Sequence, residues 1–575
     1  MPVVNAEIAE ILDRVADLLE IEGENPFRVR AYRYAARVVA ELPASVAEVL
    51  DRGEPLTCLP GIGRDLASKI GEIVRTGGLT QLRELEERMP PGLADLLTVP
   101  GLGPKRVKLL QAELGVGSLE ELRQAAEAGR IRALKGFGER TEQHVLDALA
   151  RAGKKAIRFQ RPLAEQVASA LLAHLRRSPD IEEAEVAGSY RRGKETVADL
   201  DVLAVCRPGG EHAAMAHFLA CDQVVRVLAG GETKSSVVLR SGLQVDLRAV
   251  PRESYGAALQ YFTGSKAHNV ALRKLALRAG LKVNEYGVFR GEERVAGATE
   301  EEVYARVGLP YIEPELREER GELEAARAGG LPGLLRLQDL RGDLHVHTKA
   351  SDGRFRVDEM AEAARRRGYE YLAIADHSKR LTVARGLDEK RLAKQFEEID
   401  RLNELHPEFR ILKSSEVDIM EDGSLDLPDS ILRELDLTVC SIHHAFGLPR
   451  DRQTERILRA MDNPHFDILG HPTGRLLGAR AGYEIDLERV VDGAKERGCF
   501  LELNAQPDRL DLDDAGCRLA KERGGKVAIS TDAHTLAQLD WMRFGVAQAR
   551  RGWLEPEDVL NARSWPELRR LLRSR

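Results

Sequence analysis

Near the middle of this 575-residue chain stands the sequence Gly188-Ser-Tyr-Arg-Arg-Gly-Lys-Glu-Thr-Val-Ala-Asp199-Leu-Asp201-Val-Leu-Ala-Val205. Its second half alternates polar and apolar residues, which is typical of a β-strand with one buried face. Asp199 and Asp201 therefore project from the same face. A later alternating run, residues 243–250, carries Asp246, and as a neighbouring strand it would add a third carboxylate.

Three carboxylates on adjacent strands repel one another unless divalent cations lie between them. Ligation by oxygen alone suits Mg²⁺ or Mn²⁺, and two such ions organise phosphoryl displacement. An Asp-x-Asp pair by itself is more often a solvated acidic loop. Upstream, however, Gly188, Ser189 and Arg192 offer backbone, hydroxyl and guanidinium donors for nucleotide phosphates. The combination favours nucleotidyl transfer.

Towards the N-terminus, a Gly-x-Gly pattern recurs between helical segments. Its three copies are Leu59-Pro-Gly61-Ile-Gly63, Val99-Pro-Gly101-Leu-Gly103 and Leu134-Lys-Gly136-Phe-Gly138. One copy would be no more than a helix C-cap. Three copies indicate tight turns that present amide groups at helix starts to DNA phosphates. They look like helix-hairpin-helix motifs, and the basic stretch 151–161 follows them.

Towards the C-terminus, His and acidic residues stand at or just after apolar runs such as 371–377, 437–443 and 466–471. A lone His is usually a structural residue, but a set at the ends of successive strands predicts a multinuclear metal site at one end of a β/α barrel. Imidazole and carboxylate together favour Zn²⁺ or Mn²⁺. The nine candidate ligands are His345, His347, Asp352, His377, Glu416, His443, His471, Asp532 and His534.

Composition limits the classes of protein that are possible. Hydrophobic residues make up 43% and charged residues 31%, as in a soluble globular chain, and the length suggests about three to five domains. We expect neither a membrane span nor a secretion signal, because no apolar run approaches about 18 residues. Six cysteines without a C-x-x-C pair suggest reduced thiols and a cytoplasmic location. The net charge of −7 argues only weakly against a nucleic-acid partner, since local patches matter more.

Residues 1 to about 317 resemble the X family of DNA polymerases, on Gly188-Ser189, Arg192-Gly193, the three aspartates and the motif Tyr261-Phe262-Thr-Gly264-Ser265. The resemblance implies that Asp246 orients the primer 3′-hydroxyl and that Ser189 and Arg192 hold the triphosphate. It further implies roles for residues that composition would not single out. These are Tyr261 and Phe262 against the incoming sugar, Asn269 at the base, Arg273 at the template, and Gly188, Gly193 and Gly264 in the nucleotide site. By composition alone, residues 261–264 would be a strand-to-turn step.

Two positions need separate comment. Gln244 departs from the basic residue that the family usually has two positions before the third aspartate. Lys69 lies where the family's small lyase domain has a Schiff-base lysine. Asp65 stands one turn away, where a positive charge would serve a nucleophilic lysine better. A phosphate contact or an ordinary exposed helix position is therefore the stronger interpretation of Lys69.

From Leu340 onwards the chain resembles the PHP (polymerase and histidinol phosphatase) domain, a distorted β/α barrel with up to three metal ions. The motifs are H-x-H-T, S-D-G, D-H-S, S-I-H-H, G-H-P and T-D-A-H. By this resemblance His345, His347, Glu416 and Asp532 hold one ion. Glu416 bridges to a second ion with His443 and His471, and Asp352, His377 and His534 hold the third.

We therefore expect a multidomain α+β and α/β protein with helical helix-hairpin-helix domains, a nucleotidyltransferase palm and a TIM-like PHP barrel. The predicted divisions are a lyase-like domain at 1–81, a helix-hairpin-helix domain at 82–150, the palm at 151–250, a nucleotide-selecting subdomain at 251–317, a linker at 318–338 that separates the two catalytic modules, and the barrel at 339–575.

The combination predicts a monomeric DNA-repair polymerase that fills short gaps in gapped or nicked DNA with dNTPs. Its barrel would trim 3′ ends as a 3′→5′ exonuclease, or act as a 3′-phosphatase or at abasic sites. Two alternatives remain open: a PHP phosphatase for a small molecule, tethered to DNA by the first half, and a non-catalytic scaffold that bridges DNA ends.

Overall fold

The computed structural model describes residues 3–40, 42, 45–89, 92–99, 101–134, 136–152 and 158–573. Residues 153–157, within the basic stretch 151–161, lie outside the described residues. Up to residue 152 the described chain is helical. Its helices are α1 (Asn5–Glu22), α2 (Pro26–Ala40), α3 (Val46–Asp51), α4 (Arg64–Thr76), α5 (Thr80–Glu87), α6 (Pro104–Leu114), α7 (Leu119–Glu127) and α8 (Glu139–Ala152).

Helix α1 is the centre of this helical region. Ile8, Leu12, Val15 and Leu19 recur at helical spacing and are all buried. One continuous apolar cluster joins α1 to helices on both sides of residue 81, and the predicted boundary between residues 81 and 82 falls inside α5. The two predicted N-terminal domains thus share a core.

The palm is a five-stranded sheet of order β2-β4-β7-β6-β5, in which only β4 and β7 run parallel among these pairs. Leu200 and Val202 of β4 face the core, which leaves the alternate positions for the aspartates. The elements are β1 (Phe159–Gln160), α9 (Arg161–Leu175), β2 (Ile181–Val186), α10 (Gly188–Arg191), β3 (Thr196–Val197), β4 (Asp199–Cys206), α11 (Glu211–Leu219), β5 (Val224–Gly230), β6 (Lys234–Leu239) and β7 (Gln244–Val250).

A smaller subdomain follows the palm and carries a three-stranded antiparallel sheet of order β10-β9-β8. Its elements are α12 (Tyr255–Thr263), α13 (Lys266–Arg278), β8 (Lys282–Asn284), β9 (Gly287–Arg290), β10 (Glu293–Ala296) and α14 (Glu300–Arg306). The motif 261–264 lies at the end of α12, so the chain passes there from helix to turn, not from strand to turn.

The expected linker is a structured connector. Residues 322–328 form helix α15 (Glu322–Ala328), and Leu323 and Ala326 enter the same apolar cluster as Leu316 and the barrel residue Trp553. The segment is therefore packed against both regions, while its place as a domain boundary stays a prediction. The apolar spacing of α15 buries one helix face, and this burial joins the polymerase region to the barrel.

The C-terminal domain is a distorted barrel of parallel strands in two sheets, β11-β12-β13 and β14-β15-β16-β17-β18. Parallel bridges Val346↔Ala533 and His377↔Glu416 connect the two sheets and close the barrel. The strands are β11 (Gly342–Val346), β12 (Tyr371–Ile374), β13 (Arg410–Lys413), β14 (Glu416–Asp418), β15 (Val439–Ser441), β16 (Ile468–Leu469), β17 (Phe500–Asn504) and β18 (Val527–Ser530).

Helices surround the barrel, and α23 closes the end opposite the metal-ligand candidates by packing Leu568 and Leu572 onto the barrel's inner apolar cluster. The helices are α16 (Val357–Arg366), α17 (Glu389–Leu405), α18 (Asp429–Leu432), α19 (Arg450–Met461), α20 (Leu487–Glu496), α21 (Asp514–Glu522), α22 (Met542–Arg551) and α23 (Trp565–Arg573). The expected combination of helical domains, mixed sheets and a C-terminal β/α barrel is confirmed.

Candidate active sites

The structure brings the three predicted aspartates together on the palm sheet. In the parallel pairing of β4 with β7, Asp201 lies opposite Asp246 and Asp199 lies opposite Gln244. The side-chain amide of Gln244 donates a hydrogen bond to Oδ1 of Asp246 over 3.1 Å. Gln244, where the family usually has a basic residue, thus orients the carboxylate of Asp246 without adding a charge.

Ionisation of Asp199 and of Asp201 is disfavoured by burial and by the carboxylates next to them. Burial, together with the charges of Asp199 and Asp246, raises the pKa of Asp201 to about 6. Burial and the neighbouring Asp246 also raise the pKa of Asp199. A site with this electrostatics favours the uptake of positive charge, and its oxygen donors fit Mg²⁺ or Mn²⁺.

A glycine turn covers the aspartates. Gly188 begins the short helix α10 with φ +66°, and a Cβ at this position would lie 2.7 Å from Oδ2 of Asp201. Any larger residue would displace the carboxylate. The turn therefore brings the backbone and the half-buried Ser189 close to the aspartates, where a triphosphate would need donors.

The two residues after α10 lie at a junction of three domains. Nε of Arg192 is 2.9 Å from Oε1 of Glu318, and its Nη1 donates to the carbonyl of Thr263 over 2.7 Å. A Cβ on Gly193 would lie 3.6 Å from Cβ of Ala547 in the barrel domain. That distance is ordinary van der Waals contact, so Gly193 lies against the barrel domain, and it is the φ of +72° that favours glycine at this position.

The predicted sugar-contacting residues form an aromatic pair at the end of α12. The ring centroids of Tyr261 and Phe262 are 5.1 Å apart in an edge-on arrangement, and Arg248 lies over the Phe262 ring. The amide nitrogen of Asn269 donates to the carbonyls of Tyr261 (2.6 Å) and Gly264 (3.2 Å). Asn269 is buried and fixes this turn.

Gly264 and Arg273 flank this turn. A Cβ on Gly264 would lie 2.5 Å from Oδ1 of Asn269, so the close turn requires glycine. Arg273 is exposed one helical turn beyond Asn269, to whose carbonyl its Nε donates over 3.3 Å. Its exposed position leaves it accessible to a nucleic acid.

In the barrel, Glu416 lies at the centre of the ligand candidates. Its Oε1 is 3.2 Å from Nε2 of His443 and 2.9 Å from Nε2 of His471. Its Oε2 is 3.6 Å from Nε2 of His345 and 3.7 Å from Nε2 of His347. Each oxygen thus faces a different group of imidazoles, as a carboxylate that bridges two cations would.

The remaining candidates complete the cluster. Nε2 of His347 is 3.1 Å from Oδ1 of Asp532, while Asp352 lies between His377 (3.5 Å) and His534 (3.4 Å). Asp532 and His534 follow β18, so neither lies within the strand. A left-handed backbone at Asp532, with φ +51°, turns the chain at this point.

Acidic groups behind the imidazoles hold the rings in place. Nδ1 of His345 is 2.7 Å from Glu502, and Nδ1 of His443 is 2.7 Å from Asp418. Such contacts direct Nε2 towards a metal. Sequence analysis missed Glu502 and Asp418. The signal for Asp418 was available, because it lies two residues after Glu416 in the same strand.

The titration behaviour of the cluster fits divalent cations. Burial and the neighbouring imidazoles of His534 and His377 lower the pKa of His347 to about 4, so its ring is neutral at pH 7. Nδ1 of His347 and Nδ1 of His471 are buried without a hydrogen-bond partner within the described residues. Burial lowers the pKa of His377, but Glu416 and Asp352 outweigh it and raise the pKa to about 10. The cluster would hold protons where it does not hold cations.

The three Gly-x-Gly copies share one geometry. The first glycine has a positive φ (Gly61 +70°, Gly101 +88°, Gly136 +87°), and the second is exposed at the start of α4, α6 or α8. The residue between the two glycines is buried in each copy. The two exposed positions therefore leave the backbone open to a DNA phosphate. The second glycines are Gly63, Gly103 and Gly138.

Lys69 does not have the electrostatics of a nucleophile. Its Nζ donates to Oδ2 of Asp65 (2.6 Å) and to the hydroxyl of Tyr32 (2.7 Å). Burial lowers the pKa of Lys69, but these two partners outweigh it, and the pKa is raised above its ordinary value. A Schiff-base lysine needs the opposite shift.

The barrel ligands open into a cleft of about 1210 Å³. One wall comes from α2 and the segment after it, a second from α9, and the third from the barrel mouth. Arg37, Arg177 and Arg543 line the cleft together with the ligand candidates. Arg354 of the barrel domain lies over the ring of Tyr34 in α2, 5.0 Å from its centroid. This contact joins the N-terminal region to the barrel.

The class of protein follows from three features: helical hairpins that expose their backbone, a palm that carries aspartates and a barrel rich in imidazoles. They define a DNA polymerase joined to a metal-dependent hydrolase domain. Family models agree with each part that they match. They are a helix-hairpin-helix domain at residues 3–79, a SAM-like helix-hairpin-helix tandem at 93–151, the DNA polymerase beta thumb at 258–318 and the PHP domain at 343–506.

Relatives extend the comparison to the whole chain. The chain is 41% identical over 572 residues to the DNA polymerase/3′-5′ exonuclease PolX of Bacillus subtilis (strain 168), which covers 99% of both chains. A probable phosphatase of Thermoanaerobacter sp. (strain X514) is 35% identical over 230 residues, which covers 38% of this chain and 89% of the relative. The chain therefore belongs to the X family of DNA polymerases, in the group with a C-terminal PHP domain. This membership confirms the expected class of enzyme and its use of divalent metal ions.

Two further expectations concern membrane spans and the state of the cysteines. No described helix is long and apolar enough to cross a membrane. The six cysteines are free thiols, and four of them are buried: Cys221, Cys440, Cys499 and Cys517.

Proposed function

We propose that this chain fills short DNA gaps at the palm aspartates and trims 3′ ends at the barrel cluster. The observation that carries the polymerase half is the parallel register of Asp201 with Asp246 beneath the Gly188 turn. It leaves a compact acidic face directly below a set of backbone and side-chain donors. Gapped or nicked DNA and dNTPs are the substrates that suit this arrangement.

In nucleotidyl transfer, each palm residue has a role that follows from its position. When two divalent cations are bound to the aspartates, they supply charge stabilisation to the entering and leaving oxygens. Asp246, oriented by Gln244, accepts a hydrogen bond from the primer 3′-hydroxyl. The Gly188 turn, Ser189 and Arg192 hold the triphosphate. Tyr261 and Phe262 restrict the space for the sugar.

Template and base contacts follow from the same arrangement. Arg273 is exposed on α13 and can reach a DNA strand, as the family resemblance implies. Asn269 reaches a base only by exchanging the bonds that it makes to the 261–264 turn. The helical hairpins grip the backbone through Gly61, Gly63, Gly101, Gly103, Gly136 and Gly138.

In the barrel, hydrolysis of a phosphodiester is the reaction that the cluster fits best. Up to three Zn²⁺ or Mn²⁺ ions, when bound to the nine ligands, supply polarisation of the phosphate and activation of water. Glu502 and Asp418 hold His345 and His443 in the orientation that ligation requires. Because the cleft is walled by α2 and α9, an unpaired 3′ end enters it more readily than a duplex.

The product spectrum on a one-nucleotide gap tests the proposed function. With dNTPs and Mn²⁺ we expect extension by one nucleotide, and without dNTPs we expect shortening from the 3′ end. Failure of extension at every dNTP concentration would contradict the polymerase half. Shortening from the 5′ end would contradict the proposed polarity of the barrel.

One observation favours a second candidate for the barrel, which is phosphomonoester hydrolysis. The relatives that match the barrel alone are named probable phosphatases. Histidinol phosphate and a DNA 3′-phosphate, offered in parallel, distinguish a small-molecule phosphatase from a DNA 3′-phosphatase. A scaffold without catalysis is disfavoured by the complete ligand sets. The monomeric state, the cytoplasmic location and the domain divisions stay predictions.

A further inference from the structure

Beside the apolar cluster that contains Trp553, the barrel meets the polymerase region through its own arginines and the other side's glutamates. Three of these arginines lie on α22, the last long helix before α23. Opposite charges at a partly buried interface fix the orientation of the two parts. The pairs are Arg475–Glu195 (2.7 Å), Arg543–Glu165 (3.0 Å), Arg550–Glu315 (2.6 Å) and Arg551–Glu318 (3.0 Å).

Arg551 also contacts the turn that carries Arg192, the residue predicted to bind the triphosphate. Its Nη1 donates to the backbone carbonyl of Arg192 over 2.9 Å and to Oε1 of Glu318 over 3.0 Å. The same Oε1 lies 2.9 Å from Nε of Arg192. Nη2 of Arg551 contacts Asp514 on α21 over 2.5 Å, and only 4% of the Arg551 side chain is exposed.

Within the ion-pair network of Arg551 and Arg192, positive charge exceeds negative charge. Four cations share two carboxylates, which leaves an excess of two positive charges (4 − 2). Burial raises the pKa of Glu318, but Arg192 and Arg551 outweigh it and lower the pKa, so Glu318 stays ionised. An excess of this sign next to the Gly188 turn attracts a polyphosphate. The cations are Arg192, Lys194, Arg320 and Arg551, and the carboxylates are Glu318 and Asp514.

We propose that Arg551, a residue of the exonuclease domain, is a positioning residue for nucleotide binding in the polymerase domain. The inference rests on the proposed role of Arg192 at the triphosphate. Arg551 shares Glu318 with Arg192 and anchors the carbonyl of Arg192, so Glu318 steadies the Arg192 guanidinium without neutralising it. Without Arg551, Glu318 pairs with Arg192 and Lys194 alone, and the turn loses a donor.

The test compares Arg551→Met with Arg550→Met in the full chain, by gap filling and 3′ trimming. Arg550 is the matched control because it is adjacent on α22 and forms its ion pairs with Glu313 and Glu315, not with Glu318. We expect Arg551→Met to raise the KM for dNTP about tenfold, with kcat and trimming changed by less than about twofold. Arg550→Met should change the KM by less than about twofold.

A double-mutant cycle tests whether Arg551 acts through Arg192. If Arg551 acts through Arg192, the double variant Arg192→Met/Arg551→Met has the same KM as Arg192→Met. An unchanged KM in Arg551→Met, an equal rise in Arg550→Met, or multiplicative effects in the double variant would overturn the inference. An unchanged KM in Arg192→Met would overturn the proposed role of Arg192 as well.

Arg551→Lys covers the case in which Arg551→Met loses both activities through misfolding. A lysine keeps the charge, but it cannot replace the planar fork that reaches Arg192, Glu318 and Asp514 together. We expect a KM between the values for the original chain and Arg192→Met, with trimming retained. A KM equal to that of the original chain would overturn the inference.

Discussion

The palm and the barrel both gather acidic residues for divalent cations, but they balance the charge differently. The palm has three aspartates, half-exposed or exposed, and burial and the neighbouring carboxylates raise the pKa of two of them, Asp199 and Asp201. The barrel mixes carboxylates with imidazoles, buries most of them and backs them with further acids such as Glu502. The palm is therefore suited to cations that arrive with a nucleotide. The barrel is built to retain its own.

The largest expected effect separates the two activities. Asp201→Asn should reduce nucleotide incorporation by roughly a thousandfold or more, because the parallel pair with Asp246 loses one of its two carboxylates. The same variant should trim 3′ ends at the original rate. Both rates are measured on one gapped substrate, with and without dNTPs.

The reciprocal variant is Glu416→Gln, which removes the charge of the carboxylate that faces both imidazole groups. It should abolish trimming and leave incorporation intact. Loss of incorporation in Glu416→Gln, with trimming preserved, would contradict the assignment of the two sites.

A smaller effect should come from the acids behind the imidazoles. Glu502→Gln removes the charge that orients His345 and should weaken metal retention in the barrel by roughly 10-fold to 100-fold. Metal content after dialysis against a graded chelator measures this directly. The matched control is Glu488→Gln, an exposed residue on α20. Equal metal loss in both variants would argue against an orienting role for Glu502.

The pH dependence should sharpen the contrast. Because burial and the neighbouring aspartates raise the pKa of Asp201 to about 6, protons compete with cations at the palm below that pH. The Mg²⁺ concentration needed for half-maximal gap filling should therefore rise about tenfold per pH unit below 6 and level off above about 7. A Mg²⁺ requirement that stays constant from pH 5 to pH 7 would contradict the raised pKa.

The smallest expected effect is on stability in the presence of a chelator. The pKa of Asp201 is higher in the folded chain, about 6, than its ordinary value of 3.8, so the ionised carboxylate destabilises the fold. This loss of stability develops as the pH rises from 3.8 to about 6. At pH 7, Asp201→Asn should raise the free energy of unfolding of its domain by about 1 kcal/mol. Chemical denaturation followed by a palm-specific probe measures it. Glu416→Gln should lower stability instead, because buried imidazoles lose their counter-charge.

Much of both sites could be predicted because their residues follow local periodicities. Alternation along 199–205 and 243–250 placed the three aspartates on one face, and the strands formed as expected. The barrel ligands follow short apolar strands, which the apolar runs indicated. The motif at 261–264 was harder, because four residues do not distinguish the end of a helix from the end of a strand.

The sequence by itself determined which chemistry the chain carries, since the identity and local spacing of the ligands are encoded within single strands and turns. Only the tertiary structure decided what surrounds them. It placed Glu502 behind His345, paired Lys69 with Tyr32, packed the expected linker into a shared core and brought Arg551 against Arg192. These contacts join residues far apart along the chain. Their geometry depends on how whole elements pack, and no local pattern records that.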